Sequence, residues 1–315
     1  MKCLFFLFVF SNFTVFGQTD SLRRYEFTHP QMGTVFRLLF YAADDSLAAR
    51  AARAACDRID ELNQILSDYQ ANSELGRLSA TAGSGRAVRV SRDLWRVLLT
   101  AQQAARLSDG AFDITVGPVV RLWRRARRQH ELPDPAGLAK ARRAVSYKHI
   151  ELQPKARTAK LTQSNMQLDA GGIGKGYAAD EALQTLRQLG IRAAMVDGSG
   201  NLALGDAPPG RKGWRVALGI GNSGDTTQAV YLDLANTGVS TSGDLFQFVE
   251  INGKRYSHIV NPRTGYGLTT SRLVSVTAPD ATTADWLSTA LCVMPPAKAR
   301  QMMQRIKGVR VVVNE

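Results

Sequence analysis

The chain has 315 residues, 44% of them apolar, and its 40 Lys and Arg outnumber its 27 Asp and Glu to give a formal net charge of +13. The apolar content provides for a large core, arranged as one domain or as two intertwined lobes. The basic excess is dispersed, and in its one dense run, 121–128, arginines surround Trp123 on a helical pattern whose basic face we expect to be solvated. Composition therefore argues against a nucleic-acid-binding protein.

The first 18 residues have the pattern of a secretory signal peptide. Lys2 precedes an apolar run that resumes through Phe16, and small residues near Gly17 offer a cleavage site. The run is too short to span a bilayer, so we expect export to the periplasm or the outer face of the cytoplasmic membrane, with a mature domain over 19–315. Cys3 precedes the run, which argues against a lipid anchor. The alternative is retention as an uncleaved anchor.

Two cysteines remain in the mature chain, Cys56 and Cys292. Both lie in apolar helical patterns, where buried thiols are expected. A disulfide between them stays open, because the sequence does not give their distance.

Periodicity predicts the elements of the first half of the mature chain. Residues 25–40 alternate around a turn at 29–34 and indicate a strand, a turn and a strand. Apolar residues at helical spacing predict a long amphipathic helix over 46–69, and Ser91 is placed to cap a helix that ends near Leu107. The remaining elements expected here are an Arg-rich helix that begins at Gly117-Pro118, a helix over 133–145, and a hairpin of 147–152 with 158–161.

Strands and helices come in mixed order in the second half. An apolar stripe predicts a helix from Tyr177 to Gly190, and Asn252-Gly253 is the strongest hairpin signal in the chain. Further strands are predicted over 193–196, 216–220, 230–234, 245–251, 255–260, 273–277 and 309–313, and further helices over 281–294 and 299–306. Because hairpins join several strands and no regular βαβ order occurs, the fold class expected is α+β with mainly antiparallel sheets flanked by helices.

A glycine-rich loop at 168–177 lies between a strand-like run, 165–168, and a helix. Glycines permit close approach of the backbone to a ligand, and the helix N-terminus favours a phosphate group. The loop is not a P-loop, because Asp169 and Gly176 occupy the positions of its first Gly and its Ser or Thr, and Tyr177 breaks a dinucleotide fingerprint. A tight strand-to-helix turn without a ligand is an equal alternative.

Asp285 and Thr289 lie four residues apart on a predicted helix and share one of its faces. A carboxylate and a hydroxyl, joined by a backbone carbonyl from a glycine loop, are hard oxygen ligands suited to Mg²⁺. A polar helix face without a metal is the more common explanation of such a pair. His258 stands in a loop dense with turn residues, where a single histidine is more often structural than catalytic.

The motifs taken together closely resemble those of the ApbE family, the FAD:protein FMN transferases. They follow one another in the family's order over nearly all of the mature chain. The matching segments are Met32-Gly33-Thr34, Tyr69 with 73–75, 110–113 with 115–118, 169–177, Gly200-Asn201, 241–244, 258–262 with 264–265, and 284–285 with 288–290.

The resemblance implies a T-fold-like α+β architecture and a magnesium-dependent, flavin-binding enzyme. Such an enzyme would cleave the pyrophosphate of FAD, transfer the FMN half to a Ser or Thr hydroxyl of an exported redox protein, and release AMP. FAD would then be a substrate, Mg²⁺ the cofactor, and the acceptor flavoprotein the partner through which the enzyme reaches the membrane.

The resemblance also assigns residues. The positions that match FAD contacts are Met32, Tyr69, Ala111, Phe112, Asp113, Asp169, Lys175 and Ile259. The positions that match the magnesium site are Gly172, through its carbonyl, Asp285 and Thr289. His258 matches a histidine that assists the transfer, and Asp244 is a second candidate for the general base.

The chain departs from the family pattern in two places. Gln70-Ala71-Asn72 stands where Arg-Pro-Asp is frequent, and Ser79 stands where Asn is frequent, so the contacts of this region with the flavin are in question. Two alternatives stay open. In a FAD pyrophosphatase, water replaces the protein hydroxyl and the products are free FMN and AMP. A flavin carrier without catalysis would not need the Asp285 and Thr289 pair together with His258.

Overall fold

The computed structural model describes residues 22–219, 230–243, 247–270 and 272–314. The predicted signal peptide at 1–18 and the candidate base Asp244 lie outside these residues. The same holds for the ends of the strands predicted over 216–220 and 245–251.

The described residues form an α+β fold. The helices are α1 (Asp45–Leu66), α2 (Glu74–Ser79), α3 (Arg92–Leu107), α4 (Gly117–Gln129), α5 (Pro135–Arg143), α6 (Gly174–Gln188), α7 (Ala281–Val293) and α8 (Pro296–Met303). The strands are β1 (Arg23–Gln31), β2 (Thr34–Ala42), β3 (Val88–Arg89), β4 (Ile150–Gln153), β5 (Thr158–Leu161), β6 (Ala194–Gly198), β7 (Asn201–Leu204), β8 (Trp214–Leu218), β9 (Val230–Leu234), β10 (Thr237–Ser242), β11 (Phe248–Ile251), β12 (Lys254–Ser257), β13 (Leu273–Ala278) and β14 (Arg310–Asn314).

A seven-stranded sheet forms the centre of the fold, in the order β1-β2-β6-β7-β10-β13-β14. Every neighbouring pair in it is antiparallel. The register aligns Phe36 of β2 with Gly198 of β6, and Asn201 of β7 with Ser240 of β10. The turn between β1 and β2, the start of β7 and the end of β10 therefore lie at one end of the sheet.

Both faces of this sheet are covered. Helices α1, α6 and α7 pack on one face, with α6 in contact with both of the others. Leu38 of β2 belongs to the core beneath these helices, whereas the adjacent Leu39 packs with Trp214 and Val216 of β8 on the other face. This alternation follows from the two-residue period of side chains along a strand.

A second apolar cluster attaches the Arg-rich helix to the β11–β12 hairpin. Trp123 of α4 packs there with Val249 and Tyr256, and its ring centroid lies 5.1 Å from that of Tyr256. The Trp123 Nε1–H donates to the carbonyl of Gly265 over 2.7 Å. This contact fixes the loop that follows His258 against α4.

The structure confirms most of the predicted elements and the α+β class. The first hairpin, α1, the helix that Ser91 caps through a bond from Leu94 N–H, and the Asn252-Gly253 hairpin all form as expected. Cys56 is half-buried and Cys292 is buried, and both are thiols.

The strand expected to enter the glycine loop at 165–168 was a wrong prediction. Asn165 has a φ of 63°, in the left-handed region, and among the described residues the segment pairs only through a single bridge from Gln167 to Val116. Leu168 N–H donates to the Ser79 hydroxyl over 3.0 Å, so a side chain replaces a strand partner. The last helix also differs from the prediction, since it begins at Pro296, where a proline suits the first turn.

The sequence analysis missed β7 and β10, which lie side by side in the sheet. β10 has the sequence Thr-Gly-Val-Ser-Thr-Ser, and Ser240 within it is fully buried. Buried hydroxyl groups hide the apolar alternation by which a strand is recognised.

None of the helices in the described part of the chain has the length and the apolar character needed to cross a bilayer.

Asp180 of α6 should contribute to stability because it caps the neighbouring helix α7. Its carboxylate accepts hydrogen bonds from the backbone N–H groups of Ala281 (2.9 Å) and Thr282 (2.8 Å). We expect Asp180→Ala to lower the free energy of unfolding by about 1–2 kcal/mol, since it leaves N–H groups at the helix start without acceptors. Urea denaturation at neutral pH measures this loss.

The matched control is Asp57→Ala, which removes an exposed carboxylate from α1 and should change stability by less than about 0.5 kcal/mol. Burial raises the pKa of Asp180 to about 6, against 3.8 for an ordinary Asp. Between pH 3.8 and about pH 6, the folded chain therefore binds more protons at Asp180 than the unfolded chain does. The contribution of Asp180 to the free energy of unfolding accordingly decreases as the pH rises through this range. Equal losses of stability in both variants would contradict the capping role.

Candidate active site

The glycine loop and the start of α6 form one wall of the candidate site. The Asp169 N–H donates to the carbonyl of Ile114 over 2.8 Å, and Asp169 Oδ1 accepts from the Gly171 N–H over 2.8 Å. Lys175, in the first turn of α6, donates from Nζ to the carbonyl of Gly171 over 3.2 Å. The loop thus turns back on itself, and the lysine lies over it.

Helices α6 and α7 are in close contact at Gly176. A Cβ atom at this position would lie 2.3 Å from the carbonyl oxygen of Ala281 and 2.8 Å from Cβ of Asp285. The Gly176 N–H donates to Asp285 Oδ2 over 2.9 Å. No other residue type fits here without displacing a helix, so this glycine is what allows Asp285 to reach the loop.

Gly172 meets α7 one helical turn further along. A Cβ atom on Gly172 would lie 3.1 Å from Thr289 Oγ1 and 3.3 Å from the ring of Phe112. The ring of Phe112 in turn lies edge-on to Trp286 of α7, with 6.5 Å between the ring centroids. The structure therefore brings Gly172, Asp285 and Thr289 to one place, and Phe112 lies beside them.

Asp285 is a buried carboxylate, with 2% of its surface exposed. Burial raises its pKa, while the nearby Lys175 ammonium and the hydrogen bond from Gly176 oppose this rise. Within the described residues a hydrogen bond reaches Oδ2 and none reaches Oδ1. The residue as a whole is buried, and a cation or a proton at the carboxylate would offset the cost of burying its charge.

These groups fit a magnesium ion. A carboxylate, a hydroxyl and a glycine carbonyl are hard oxygen donors of the kind that Mg²⁺ prefers. In the described part of the chain, no group of three or more His, Cys, Asp or Glu residues is placed to hold a metal. Among Gly172, Asp285 and Thr289, only Asp285 offers a charged donor.

Asp169 belongs to an ion cluster beside the loop. Arg124 of α4 lies 2.5 Å from Asp68 and 3.1 Å from Asp169, and its guanidinium group lies 3.9 Å from the ring centroid of Tyr69. Burial raises the pKa of Asp169 to about 7, the neighbouring Asp68 adds to this rise, and Arg124 opposes it. The cluster joins two residues expected to contact FAD, Asp169 and Tyr69, through an arginine.

Tyr69 offers an open aromatic surface, since 74% of it is exposed while Arg124 covers one of its faces. It borders a cavity of about 620 Å³ that Arg121, Pro118 and Leu168 also line. An exposed ring with a cation behind it is a suitable platform for a planar heteroaromatic group.

Asp113 has its oxygens engaged by the protein. Oδ1 accepts from the N–H (2.9 Å) and the hydroxyl (2.7 Å) of Thr115, and Oδ2 accepts from the Tyr147 N–H (2.8 Å). Burial raises its pKa, and these hydrogen bonds oppose the rise. The geometry gives Asp113 the task of shaping the segment that carries Ala111 and Phe112, both of which are buried.

His258 lies at the end of β12, exposed to solvent. Its Nδ1 lies 3.0 Å from the carbonyl oxygen of Gln247, and its backbone N–H donates to the same oxygen over 2.9 Å. The next residue, Ile259, is buried in the same apolar cluster as Phe112. The Gln247 carbonyl thus holds both the backbone and the ring of His258.

Met32 occupies the turn between β1 and β2 with a φ of 53°. Its N–H donates to the side chain of Gln31 over 3.1 Å. The register of the sheet places this turn at the same end as Ser242, which contacts Thr289. Met32 thus lies at the same end of the sheet as Thr289, in an element distant in sequence from the loop.

The sequence analysis missed Arg124 and Asp68. The run 121–128 was interpreted as a solvated face, which the structure supports for the exposed Arg121, Arg125 and Arg128. That interpretation is wrong for Arg124, which is half-buried between two aspartates. The sequence did offer one signal of its burial, because Arg124 directly follows Trp123, a buried residue on the same helix.

Comparison with known proteins places this geometry in a family. The family model described as "ApbE family" matches residues 32–313. The chain is 31% identical over 284 residues to a protein of Haemophilus influenzae named FAD:protein FMN transferase, covering 87% of this chain and 82% of the relative. It is also 31% identical over 308 residues to a Treponema pallidum protein of the same name, covering 93% and 85%.

A solved structure agrees with these matches. A mutant of the flavin transferase ApbE from Vibrio cholerae superposes with a TM-score of 0.80 at 26% identity, covering 92% of this chain and 93% of that chain. The family match and the shared fold extend over nearly the whole described region, and the chain belongs to the ApbE family.

Proposed function

We propose that this protein is a magnesium-dependent FAD:protein FMN transferase that acts on exported redox proteins. The observation that supports this most directly is the convergence of Gly172, Asp285 and Thr289 at the start of a helix that also carries Lys175. Relatives that share about a third of their residues with this chain bear that name.

The proposed reaction forms a bond between an acceptor Ser or Thr oxygen and the phosphorus of the FMN half of FAD. The bond from this phosphorus to the oxygen that bridges the pyrophosphate breaks, AMP leaves with the electron pair, and the hydroxyl proton passes to a base. When bound, Mg²⁺ would neutralise charge that develops on the pyrophosphate. Lys175 adds a fixed positive charge beside the loop, and the backbone of the loop positions the phosphates.

The flavin would contact the aromatic and apolar residues around the loop. Tyr69 offers its exposed face, Phe112 lies next to Gly172, and Ile259 belongs to the same apolar cluster as Phe112. Arg124 holds Tyr69 and Asp169 in place. Each of these contacts positions the substrate, which is the main contribution a protein makes to phosphoryl transfer.

His258 is the proposed general base. Because Nδ1 lies 3.0 Å from the Gln247 carbonyl, a neutral His258 carries its proton on Nδ1 and donates it to that oxygen. The lone pair is then on Nε2, from which the ring can accept the acceptor hydroxyl proton. The exposure of His258 suits a base that must meet a second protein.

The signal-like residues 1–18 support export, to the periplasm or the outer face of the cytoplasmic membrane. In that compartment the partner would be a redox flavoprotein with a Ser or Thr flavinylation site. Membrane association would come through this acceptor. Cys3 precedes the apolar run and no cysteine directly follows it, so a lipid anchor is not part of the proposal.

Transfer to a protein can be distinguished from hydrolysis by mass. We expect the mature protein, incubated with FAD, Mg²⁺ and an exported flavoprotein domain, to increase the acceptor mass by one FMN less one water and to release an equal amount of AMP. An acceptor with its target Ser or Thr changed to Ala is the control and should gain no mass. Free FMN and AMP with no labelled acceptor would favour the pyrophosphatase, and intact FAD after long incubation would favour a carrier.

The metal role of α7 can be tested with isosteric changes. We expect Asp285→Asn and Thr289→Val each to reduce AMP release by about 10²-fold or more, because each removes an oxygen ligand while largely keeping shape. Asp285→Asn also keeps an acceptor for the Gly176 N–H. Turnover is measured over a range of Mg²⁺ concentrations, together with thermal unfolding.

Thr283→Val is the matched control, since it removes a half-buried hydroxyl from the same helix away from the loop. Its turnover and its Mg²⁺ dependence should match the wild type. Wild-type turnover of Asp285→Asn at low Mg²⁺ would refute the proposed metal role.

His258→Ala separates chemistry from binding. We expect the transfer step to slow by about 10²-fold or more, because a general base contributes a factor of this order, while FAD affinity stays unchanged. Single-turnover transfer and flavin fluorescence titration measure the two quantities. His258→Gln serves as a second variant that retains a polar side chain of similar size. A collapse of FAD affinity in both variants would show that His258 is structural.

A further inference from the structure

A chain of hydrogen-bonded side chains leads away from Thr289 into the sheet. Thr289 Oγ1 lies 3.3 Å from Ser242 Oγ, which lies 2.7 Å from Ser288 Oγ. Ser288 Oγ lies 3.0 Å from Ser240 Oγ, and Ser240 Oγ lies 2.7 Å from Asn201 Oδ1. Ser240 and Ser288 are fully buried, and the chemistry proposed above uses none of the residues beyond Thr289.

The direction of these hydrogen bonds follows from the far end of the chain. The Asn201 side-chain N–H₂ faces the carbonyl of Gly198 at 3.3 Å, so Asn201 Oδ1 is the acceptor for Ser240. The single proton of Ser240 is then committed to Asn201, and the Ser240 oxygen can only accept from Ser288.

The same count of hydroxyl protons applies to the next hydrogen bonds, which reach α7. The proton of Ser288 goes to Ser240, with the carbonyl of Asp285 as a second acceptor at 3.0 Å. Ser288 must therefore accept from Ser242, and Ser242 must accept from Thr289. Whether the Ser288 proton goes to Ser240 or to the Asp285 carbonyl, the Ser288–Ser242 and Ser242–Thr289 contacts each contain a proton only in this order.

We infer that Ser242 and Ser288 are positioning residues that orient the Thr289 hydroxyl as a metal ligand. Because its proton is directed at Ser242, Thr289 Oγ1 keeps its lone pairs available for a cation beside Gly172, where a Cβ atom would lie 3.1 Å from this oxygen. A hydroxyl whose proton pointed toward the cation would repel it. This inference rests on the proposed function, because the ligand it concerns is the cation that Thr289 and Asp285 would hold.

The sheet supplies a matched control for this chain. Thr241 Oγ1 lies 2.9 Å from Ser275 Oγ, and Ser275 also accepts from the Gly219 N–H over 3.2 Å. Ser275 is fully buried on β13, next to β10, and its hydrogen bonds do not lead to Thr289. Loss of its hydroxyl should cost stability as loss of Ser288 does, without reaching the metal ligand.

The test measures metal affinity without turnover. Mn²⁺ binding to the full mature protein is followed by electron paramagnetic resonance, and Mg²⁺ is used as the competitor, with no FAD present. We expect Ser242→Ala and Ser288→Ala each to weaken Mn²⁺ binding by about 10-fold or more, as is usual when an outer partner of a metal ligand is lost. Ser242→Thr keeps the hydroxyl and should restore affinity, and Ser275→Ala should bind as the wild type does.

Thermal unfolding of each variant separates orientation from folding. Equal weakening in Ser275→Ala and Ser242→Ala, in proportion to lost stability, would overturn the inference, and so would unchanged affinity in Ser242→Ala and Ser288→Ala. Thr289→Val separates a failure of the proposed metal site from a failure of the positioning role of the serines. If Thr289→Val binds Mn²⁺ as the wild type does, the proposed metal site itself is wrong. If it binds weakly while the serine variants bind normally, only the positioning role is wrong.

Discussion

The close contact between α6 and α7 at Gly176 determines where the candidate site lies. With a hydrogen atom in place of a side chain, the start of α6 comes near enough for its N–H to bond Asp285, a residue more than a hundred positions later in the chain. The same approach brings Thr289, one helical turn on, against Gly172. Asp180 strengthens this contact by capping α7 from α6. The site therefore exists only when the central sheet has aligned both helices.

Residue patterns predicted the elements better than they predicted the contacts between them. The helices and hairpins with regular apolar spacing were predicted because burial imposes that spacing locally. β10 was missed because its inward-facing positions carry serines, whose burial depends on hydrogen-bond partners in other elements. The run 165–168 was predicted as a strand because its apolar residues suggested burial. These residues are buried, but within the described part of the chain they lack the neighbouring strand that a sheet would require.

The same distinction applies to the site. Asp285 and Thr289 could be paired from their spacing on a helix, and the resemblance to the ApbE family joined them to Gly172. Neither argument identified Arg124 as a site residue, because an arginine within an arginine-rich run is expected to be exposed to solvent. Its partners, Asp68 and Asp169, come from two other parts of the chain, and only the packing of α4 beside the glycine loop brings them together. Charge pairing across elements leaves no periodic trace in a sequence.

The charge of the proposed cation site bears on how the enzyme would work. Among the described residues its candidate donors include a single carboxylate, Asp285, accompanied by a hydroxyl and a carbonyl, and Lys175 places a positive charge nearby. A divalent cation is only partly neutralised by such a set and holds its remaining ligands from water or phosphate. The pyrophosphate of FAD would supply the missing negative charge, so cation and substrate would each strengthen the binding of the other by the same factor. A site of this composition favours assembly of the complete reactant complex over tight storage of the metal.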